Sequence, residues 1–287
     1  MGPTTRRFVA NRGALAGLVL AALLVACAIA APLLSSADPI AADVDHGLTA
    51  HGAPLGPSAH APLGTDQLGR DVWARLLAGA GASLSTAAIA TLIALVIGLA
   101  IGLTAGYAGG WIDEALMRFV DLFLAFPFLL LAILFAALLR EADLASANAP
   151  VYVTLGLVGW TTLARAVRAK TRSLAQSGMI AAARGIGASP ARIVVRHLLP
   201  NVAGLTVAVT TLAFAQNVLA ESVLSYIGLG APPPAPTWGR MLFDARAFYR
   251  TSPHLVIAPS IAIVLAVVAF QLLGDGLRDA VEPKERA

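Results

Sequence analysis

The chain is poor in charged residues, and this shortage excludes most soluble folds. Only 13% of its 287 residues are charged, whereas 58% are hydrophobic and the mean hydropathy is +0.78. A soluble domain carries roughly a quarter charged residues, so the deficit indicates a protein embedded in lipid. The basic residues give a net charge of +4, but they cluster between apolar runs rather than along one face. That distribution is typical of membrane topology and argues against nucleic acid as a partner.

Cysteine is nearly absent as well. The single residue, Cys27, lies inside an apolar run and cannot form an internal disulfide. The residues around Cys27 look like the processing box of a bacterial lipoprotein, but the apolar run continues to Leu34. A run of that length can span a membrane without cleavage. We therefore expect an uncleaved membrane anchor.

The sequence also lacks the motifs of an enzyme. A P-loop needs glycine immediately before Lys-Ser/Thr, and the pair Lys170-Thr171 follows alanine. No combination of residues suggests a nucleophile with its base. His46, His51 and His60 are irregularly spaced in a loop rich in glycine and proline, which favours solvated side chains over the alternative of a metal site. We expect a non-catalytic chain without a cofactor or metal of its own.

Six apolar runs are long enough to cross a bilayer. A crossing helix needs about 20 mostly apolar residues, and a helix satisfies its own backbone hydrogen bonds in lipid. The runs are Ala14–Leu34, Ser83–Tyr107, Leu116–Leu139, Val151–Ala169, Val202–Leu229 and Leu255–Gly274. The sequence therefore predicts an all-α integral membrane protein with six transmembrane helices and both termini on one side. Pro127 and Pro259 predict bends in their spans.

The positive charges assign the two sides of the membrane. Arginines precede the first span, and the segment from Arg165 to Arg196 is strongly basic, without an acidic residue between Asp143 and Glu221. The positive-inside rule places both in the cytoplasm. The predicted segments are a cytoplasmic N-terminus (1–13), the first transmembrane helix (14–34), an external loop (35–82), a five-helix core (83–274) that includes the cytoplasmic loop 170–201, and a cytoplasmic tail (275–287). The arginines of the last external loop are a mild departure from the rule.

The external loop contains a segment with helical periodicity. Leu68, Val72 and Leu76 recur at helical spacing. Arg70 and Arg75 lie on the opposite face. The pattern predicts an amphipathic helix that lies on the outer surface before the second span.

The basic cytoplasmic loop predicts a helical hairpin. Ala181-Ala182-Ala183-Arg184 favours a helix, and Gly187 permits the left-handed conformation that ends one. Ser189 is a suitable N-cap, and Pro190 suits the first position of the next helix. Pro200 is expected to break that helix before the fifth span. Small side chains and arginines suit docking into a groove of a soluble partner, and an ordinary loop that only fixes topology is the alternative.

Polar residues in the outer half of the fifth span are costly in lipid and therefore informative. Gln216 and Asn217 lie there, followed by Glu221 and Ser225. Asn217, Glu221 and Ser225 recur every four residues and share one helix face. That face either lines a translocation pathway or hydrogen-bonds to neighbouring helices.

The hairpin resembles the loop that defines permeases of ATP-binding-cassette (ABC) importers. That loop follows the pattern Glu-Ala-Ala, then Gly, then Leu-Pro. The matching positions here are Ala181-Ala182-Ala183, Gly187 and Leu199-Pro200, so alanine stands where glutamate is usual. The longer form, with Arg-His before Leu-Leu-Pro-Asn, is similar to the dipeptide/oligopeptide/nickel branch, in particular to its DppC/OppC-like subunit. Other stretches that resemble this branch are 62–71, 105–113, 117–121, 224–230, 233–239 and 274–279.

The resemblance implies a type I ABC importer permease fold in the bacterial inner membrane, forming half of a pathway for dipeptides or oligopeptides. It implies three partners: a second related permease in a heterodimer, ATPase subunits that bind ATP and Mg, and an extracytoplasmic substrate-binding protein. The residues implied in coupling to the ATPase are Ala181, Ala182, Ala183, Arg184, Gly187, Ser189, Arg192 and Pro200. Nickel, glutathione or another small solute is the alternative cargo. A self-sufficient carrier or channel, or a receptor-like anchor, is the alternative function.

Overall fold

The computed structural model describes residues 3–141 and 149–281, and the described chain is helical. Over these ranges the β pairing is limited to two isolated bridges, Leu48 with Pro54 and Thr65 with Asp71. The α-helices are α1 (Pro3–Ala10), α2 (Arg12–Ile29), α3 (Ala31–Leu34), α4 (Val72–Ala108), α5 (Gly110–Leu124), α6 (Phe128–Glu141), α7 (Ala149–Ala175), α8 (Gly178–Gly185), α9 (Pro190–Ile193), α10 (Leu199–Tyr226), α11 (Trp238–Ala245) and α12 (His254–Val281). A π-helical turn, Val194–Leu198, joins α9 to α10.

Four helical runs in the described chain are long and apolar enough to cross a membrane. They are α2, α4, the continuous run Pro190–Tyr226, and α12. A fifth crossing results if the bent pair α5–α6 counts as one span. The six predicted spans are therefore confirmed only in part. The remaining one, Val151–Ala169, lies within α7, whose 27 residues are long enough for a crossing at about 1.5 Å per residue.

The packing of α7 against α4 supports a sixth crossing. Gly156 of α7 lies against Ile93 of α4, and further along both helices Ala164 and Val167 lie against Gly102. The two helices therefore run side by side in the same direction. Since parallel neighbours require the intervening chain to return across the membrane, this packing favours one crossing by α5–α6 and one by α7.

The predicted third span, Leu116–Leu139, is not one straight helix. α5 and α6 meet at an angle of 88°. Pro127 immediately precedes α6 and has no backbone N–H, so the hydrogen-bond ladder of α5 cannot continue through it. The bend predicted at Pro127 is confirmed, whereas α12 continues unbroken through Pro259.

The prediction of a separate amphipathic helix on the outer surface was wrong. The helical part of that segment is the beginning of α4, whose N-cap Asp71 accepts a backbone hydrogen bond in the first turn. Leu68 lies outside the helix and is exposed, whereas Arg75 is 2% exposed. Periodicity alone cannot distinguish a charged face that meets water from one that is buried by ion pairs.

Those ion pairs form a buried network between residues 35–71 and α11. Asp66 Oδ2 lies 2.7 Å from Arg70 Nε and 3.2 Å from Arg75 Nε. Asp244 of α11 lies 3.5 Å and 3.7 Å from the same two arginines and 3.0 Å from Arg240 Nε. Buried charges are tolerated when they are paired and hydrogen-bonded in this way. The network holds the long loop against α11.

The two ends of the bundle are distinct. Ala14 near the start of α2 packs against Gly276 near the end of α12, and Gly204 near the start of α10 packs against Val281. Both described chain ends therefore lie at one end, which we call the hairpin end because α8 and α9 precede α10 there. The opposite end, which carries the buried ion network, is the loop end. That both termini share one side of the membrane stays a prediction.

Candidate functional site

The turn of the hairpin between α7 and α10 has the predicted geometry. α7 extends to Ala175, so the hairpin begins several residues later than the predicted loop. After α8, Gly187 adopts φ +78°, its N–H donates to the Arg184 carbonyl at 3.0 Å, and the Ala188 N–H donates to the Ala183 carbonyl at 3.0 Å. This is a Schellman motif, which satisfies carbonyls at the end of a helix. Glycine is favoured at this left-handed position because it has no Cβ.

The second helix of the hairpin begins as predicted but does not end as predicted. The Ser189 hydroxyl accepts the Arg192 N–H at 3.4 Å, and Pro190 occupies the first turn. Pro200 does not break the helix, because a π-helical turn precedes it and α10 starts with Leu199. Proline lies in the first turn of α10, where a missing N–H is tolerated. The helical backbone therefore continues without a break from the hairpin into the fifth span.

The inner face of the hairpin is wedged among three long helices. Ile180 and Ala183 are buried in a cluster with Leu103 of α4, Val167 of α7 and Val202 of α10. Close packing of this kind transmits displacement, because a core has little free volume to absorb it. A displacement of the hairpin would therefore be transmitted to all three helices.

The outer face of the hairpin is exposed. The predicted coupling residues divide between the two faces: Ala183 is buried, while Ala181, Ala182, Arg184, Gly187, Ser189, Arg192 and Pro200 are exposed. The Arg184 guanidinium stacks over the Tyr107 ring at 5.2 Å from its centroid, which fixes α8 to the end of α4. Ile186 is 87% exposed and Met179 is also exposed, although sequence reasoning did not single out either. Their apolar character in a basic loop was the available signal.

Carboxylates of α5 pair with arginines of α7 at the same end. Asp113 Oδ2 accepts a hydrogen bond from Arg168 at 2.7 Å and another from Arg172 at 3.3 Å. Asp121 forms an ion pair with Arg165. Arginines that indicated a cytoplasmic loop are thus partly neutralised by carboxylates of α5, and the pairs join α5 to α7.

The polar face of the fifth span meets other parts of the chain. Asn217 Nδ2 donates to Thr91 Oγ1 of α4 at 2.9 Å. Ser225 Oγ donates to Glu221 Oε1 at 2.7 Å, and both residues are almost fully buried. Thr237, before α11, donates to Ser225 Oγ at 3.3 Å. These contacts agree with the alternative in which polar side chains join helices. A pathway-lining role for the three residues stays a prediction.

Asn217 and its neighbour Gln216 also border a cavity. Gln216 is exposed, and it lines a cavity of about 480 Å³ between α7, α10 and α12. Gln271 of α12 lines the same cavity. Gln271 was not among the residues predicted from the sequence, although a polar residue in an apolar span was a signal for it.

Comparison with known proteins identifies the family. Residues 98–287 match the family described as binding-protein-dependent transport system inner membrane component. The chain belongs to this family. Residues 4–54 of the permease also match the N-terminal TM domain of oligopeptide transport permease C. The permease is accordingly a multi-pass inner-membrane subunit of an ABC importer, as the motifs predicted.

Two curated relatives cover most of the permease. It is 45% identical over 229 residues to the glutathione transport system permease protein GsiD of Shigella flexneri serotype 5b (strain 8401). It is 43% identical over 229 residues to GsiD of Escherichia coli O6:K15:H31 (strain 536 / UPEC). Each comparison covers 80% of this chain and 74% of the relative.

Solved structures share the fold. An inward-facing crystal form of the MetNI methionine ABC transporter matches with a TM-score of 0.60 at 22% identity, covering 74% of this chain and 97% of that chain. A second crystal form matches with a TM-score of 0.55 at 22% identity, covering 72% and 96%. The permease therefore has the all-α type I ABC importer fold that its motifs implied.

Proposed function

We propose that this permease forms half of a pathway for the uptake of short peptides, with energy supplied by separate ATPase subunits. The observation that carries the proposal is the two-faced hairpin at α8–α9. Its inner face is wedged among α4, α7 and α10, and its outer face presents Ile186, Met179 and arginines. The match of residues 4–54 to an oligopeptide permease domain supports peptides as the cargo.

The hairpin end faces the cytoplasm and the loop end faces outward. The basic segment from Arg165 to Arg196 reaches the hairpin end, and the positive-inside rule assigns such a segment to the cytoplasm. Both chain termini are then cytoplasmic. An extracytoplasmic binding protein delivers its cargo at the loop end.

Two kinds of subunit complete the transporter. ATP and Mg are bound by ATPase subunits, which dock on the outer face of the hairpin. A second, related permease packs against this one as a heterodimer. The cavity beside α10 supports the second permease, because Gln216 and Gln271 are exposed in the single chain and a partner would enclose them.

The hairpin couples ATP hydrolysis in the ATPase subunits to transport through the permease. An ATPase that contacts it differently in two states shifts the equilibrium between an inward-open and an outward-open permease. Ile180 and Ala183 pass that displacement to α4, α7 and α10 through the shared cluster. Since Ala181 replaces the usual glutamate, docking here depends on the apolar tip and the arginines.

Glutathione is a second candidate cargo. The observation that favours it is the 45% identity to the glutathione permease of Shigella flexneri. Glutathione is itself a tripeptide, so both candidates belong to one chemical class and a single pathway could accept both.

The test replaces Ile186 with aspartate. The side chain is 87% exposed, so the chain should fold, while a carboxylate placed in an apolar groove is costly. We expect co-purification of the ATPase subunits to fall by about tenfold, because a loss of about 1.4 kcal/mol of binding free energy weakens affinity by that factor. ATP-dependent uptake of labelled dialanine and glutathione by proteoliposomes with the complete importer should fall with it.

Ile40→Asp is the matched control, since Ile40 is an exposed isoleucine in the loop before α4. It should retain co-purification of the ATPase subunits. If Ile186→Asp kept normal assembly and uptake, the coupling role would be rejected. If the wild-type importer took up neither compound, peptides would be the wrong cargo.

A further inference from the structure

Two cavities lie end to end along α10 and α12. The first, of about 480 Å³, is lined on α10 by residues between Leu205 and Asn217. The second, of about 350 Å³, is lined on α10 by residues between Ala215 and Val223. At about 1.5 Å per residue, the stretch from 205 to 223 covers about 27 Å, close to the thickness of a bilayer core. Together the cavities follow the permease across the membrane.

Three residues line both cavities and mark the place where they meet. They are Phe128, Gln216 and Gln271. Phe128 begins α6 directly after the 88° bend, Gln216 lies on α10 and Gln271 on α12. We call this group the amide junction. Three elements that are distant in sequence therefore converge on one point of the passage.

The two glutamine side chains are polar groups in mainly apolar surroundings. The cavity toward the loop end is lined mainly by apolar side chains, including Leu219, Val223 and Val267. Among residues 3–141 and 149–281, neither Gln216 nor Gln271 has a hydrogen-bond partner. An amide without a partner at membrane depth is costly, so it is satisfied only by a group from outside this chain, such as water or a passing substrate.

The chemistry of that partner follows from the amide group. A glutamine side chain offers an N–H donor and a carbonyl acceptor, and a peptide bond offers the same pair. Among the described residues that line the two cavities there is no carboxylate, and the charged residue Arg278 lies away from the junction. The junction is therefore suited to a neutral amide rather than to a metal cation.

We propose that the amide junction recognises the peptide bond of the passing substrate, with Gln216 and Gln271 as specificity-determining residues. This inference rests on the proposed function, because it requires a peptide as cargo. It also places the substrate contact at Gln216 rather than on the face of Asn217, Glu221 and Ser225 that periodicity predicted. Asn217 borders the larger cavity but donates to Thr91 of α4, whereas Gln216, about 100° around the helix, lines both cavities and has no such bond.

The test uses Gln216→Met and Gln271→Met in the complete importer, reconstituted with its ATPases and binding protein. Methionine has a similar length and is apolar, so it should not disturb a helix in lipid. The probes are dialanine and dialanine methylated on its peptide nitrogen, which lacks the N–H. Because the same binding protein serves every variant, its own preference cancels when the ratios of uptake are compared.

The wild type should import dialanine in preference to the methylated peptide. Each methionine variant should lose about three- to tenfold of that preference, the expected effect of one hydrogen bond. Thr211→Val is the matched control, because Thr211 lies on α10 and donates to its own helix at Val207. The control should keep the wild-type ratio, and all variants should assemble normally.

Three results would overturn the inference. The first is an unchanged ratio of dialanine uptake to methylated-dialanine uptake in both methionine variants. The second is equal import of the two probes by the wild type. The third is loss of assembly in the methionine variants, which would show that the amides pair with the second permease. Import of dialanine in any of these cases would leave the proposed function intact. Absence of import of both dialanine and glutathione by the wild type would instead reject the proposed function.

Discussion

At the scale of single residues, Gly187 determines how the hairpin turns. Its φ of +78° lies in the left-handed region, where a side chain costs of order 1–2 kcal/mol. A Cβ at this position would have no neighbouring atom within 4 Å. The requirement for glycine is therefore conformational, with no contribution from steric contact with the rest of the chain.

Gly187→Val should impair the hairpin because a β-branched residue resists this conformation. We expect less ATPase to co-purify and ATP-dependent peptide uptake to fall severalfold. Gly187→Asn is the matched comparison, since asparagine tolerates the left-handed region and should retain most activity. Equal behaviour of the two variants would argue against a conformational role.

At the scale of elements, the contact between α4 and α7 depends on small residues. A Cβ on Gly102 would lie 2.7 Å from the Ala164 carbonyl oxygen and 2.7 Å from Val167 Cβ. Gly106, one turn further, is equally close to Thr171 Cβ. Membrane helices associate largely through such close packing, because lipid provides no hydrophobic driving force between them.

Gly102→Ala should therefore destabilise the permease, since a backbone carbonyl has to move to admit one methyl group. We expect a loss of about 1–3 kcal/mol, measured by unfolding in detergent. Gly81→Ala on the same helix is the control, because its Cβ would come no closer than 4.0 Å to Ala28. The control should be neutral or slightly stabilising, since alanine favours a helix. A Gly102→Ala variant as stable as the control would contradict the packing described.

A contact between distant elements also explains why the prediction of a water-facing arginine face failed. Arg70 and Arg75 were expected to face water, and both are buried against Asp66 and Asp244. Asp66 is close in sequence, but Asp244 lies on α11, far along the chain. No local pattern reveals that these arginines meet α11, so periodicity assigned them to the surface.

At the scale of the whole molecule, the hairpin and the buried ion network occupy opposite ends of the bundle. The hairpin packs on the ends of α4 and α7, while the network joins the long loop to α11. The described chain ends lie at the hairpin end. On the proposed function, the permease thus separates the surface that would meet the ATPase from the surface that would meet the binding protein.

Cysteine labelling tests this orientation. In a Cys27→Ser background, Gly56→Cys lies in the long loop and Thr5→Cys in α1, and both positions are exposed. A membrane-impermeant maleimide should label Gly56→Cys in intact spheroplasts, because the loop end faces outward. Thr5→Cys should react only after permeabilisation. The reverse pattern would invert the assignment made from positive charges.

The sequence by itself determined the class of fold and the turn of the hairpin. Hydropathy and helix caps are local properties, so the apolar runs and Gly187 with Ser189 could be recognised without the fold. The bend at Pro127 was predictable for the same reason. The importer family followed from motifs that cover most of the chain.

The tertiary structure decided which side chains face one another. Gln216 and Asn217 are neighbours in the same helix and both border the larger cavity, yet Asn217 bonds to α4, whereas Gln216 also lines the second cavity with Gln271. Arg75 is buried because Asp244 reaches it from a distant element. A helical pattern specifies the angle between residues around an axis, whereas their surroundings depend on where the other helices pack. The candidate pathway therefore emerged only from the assembled bundle.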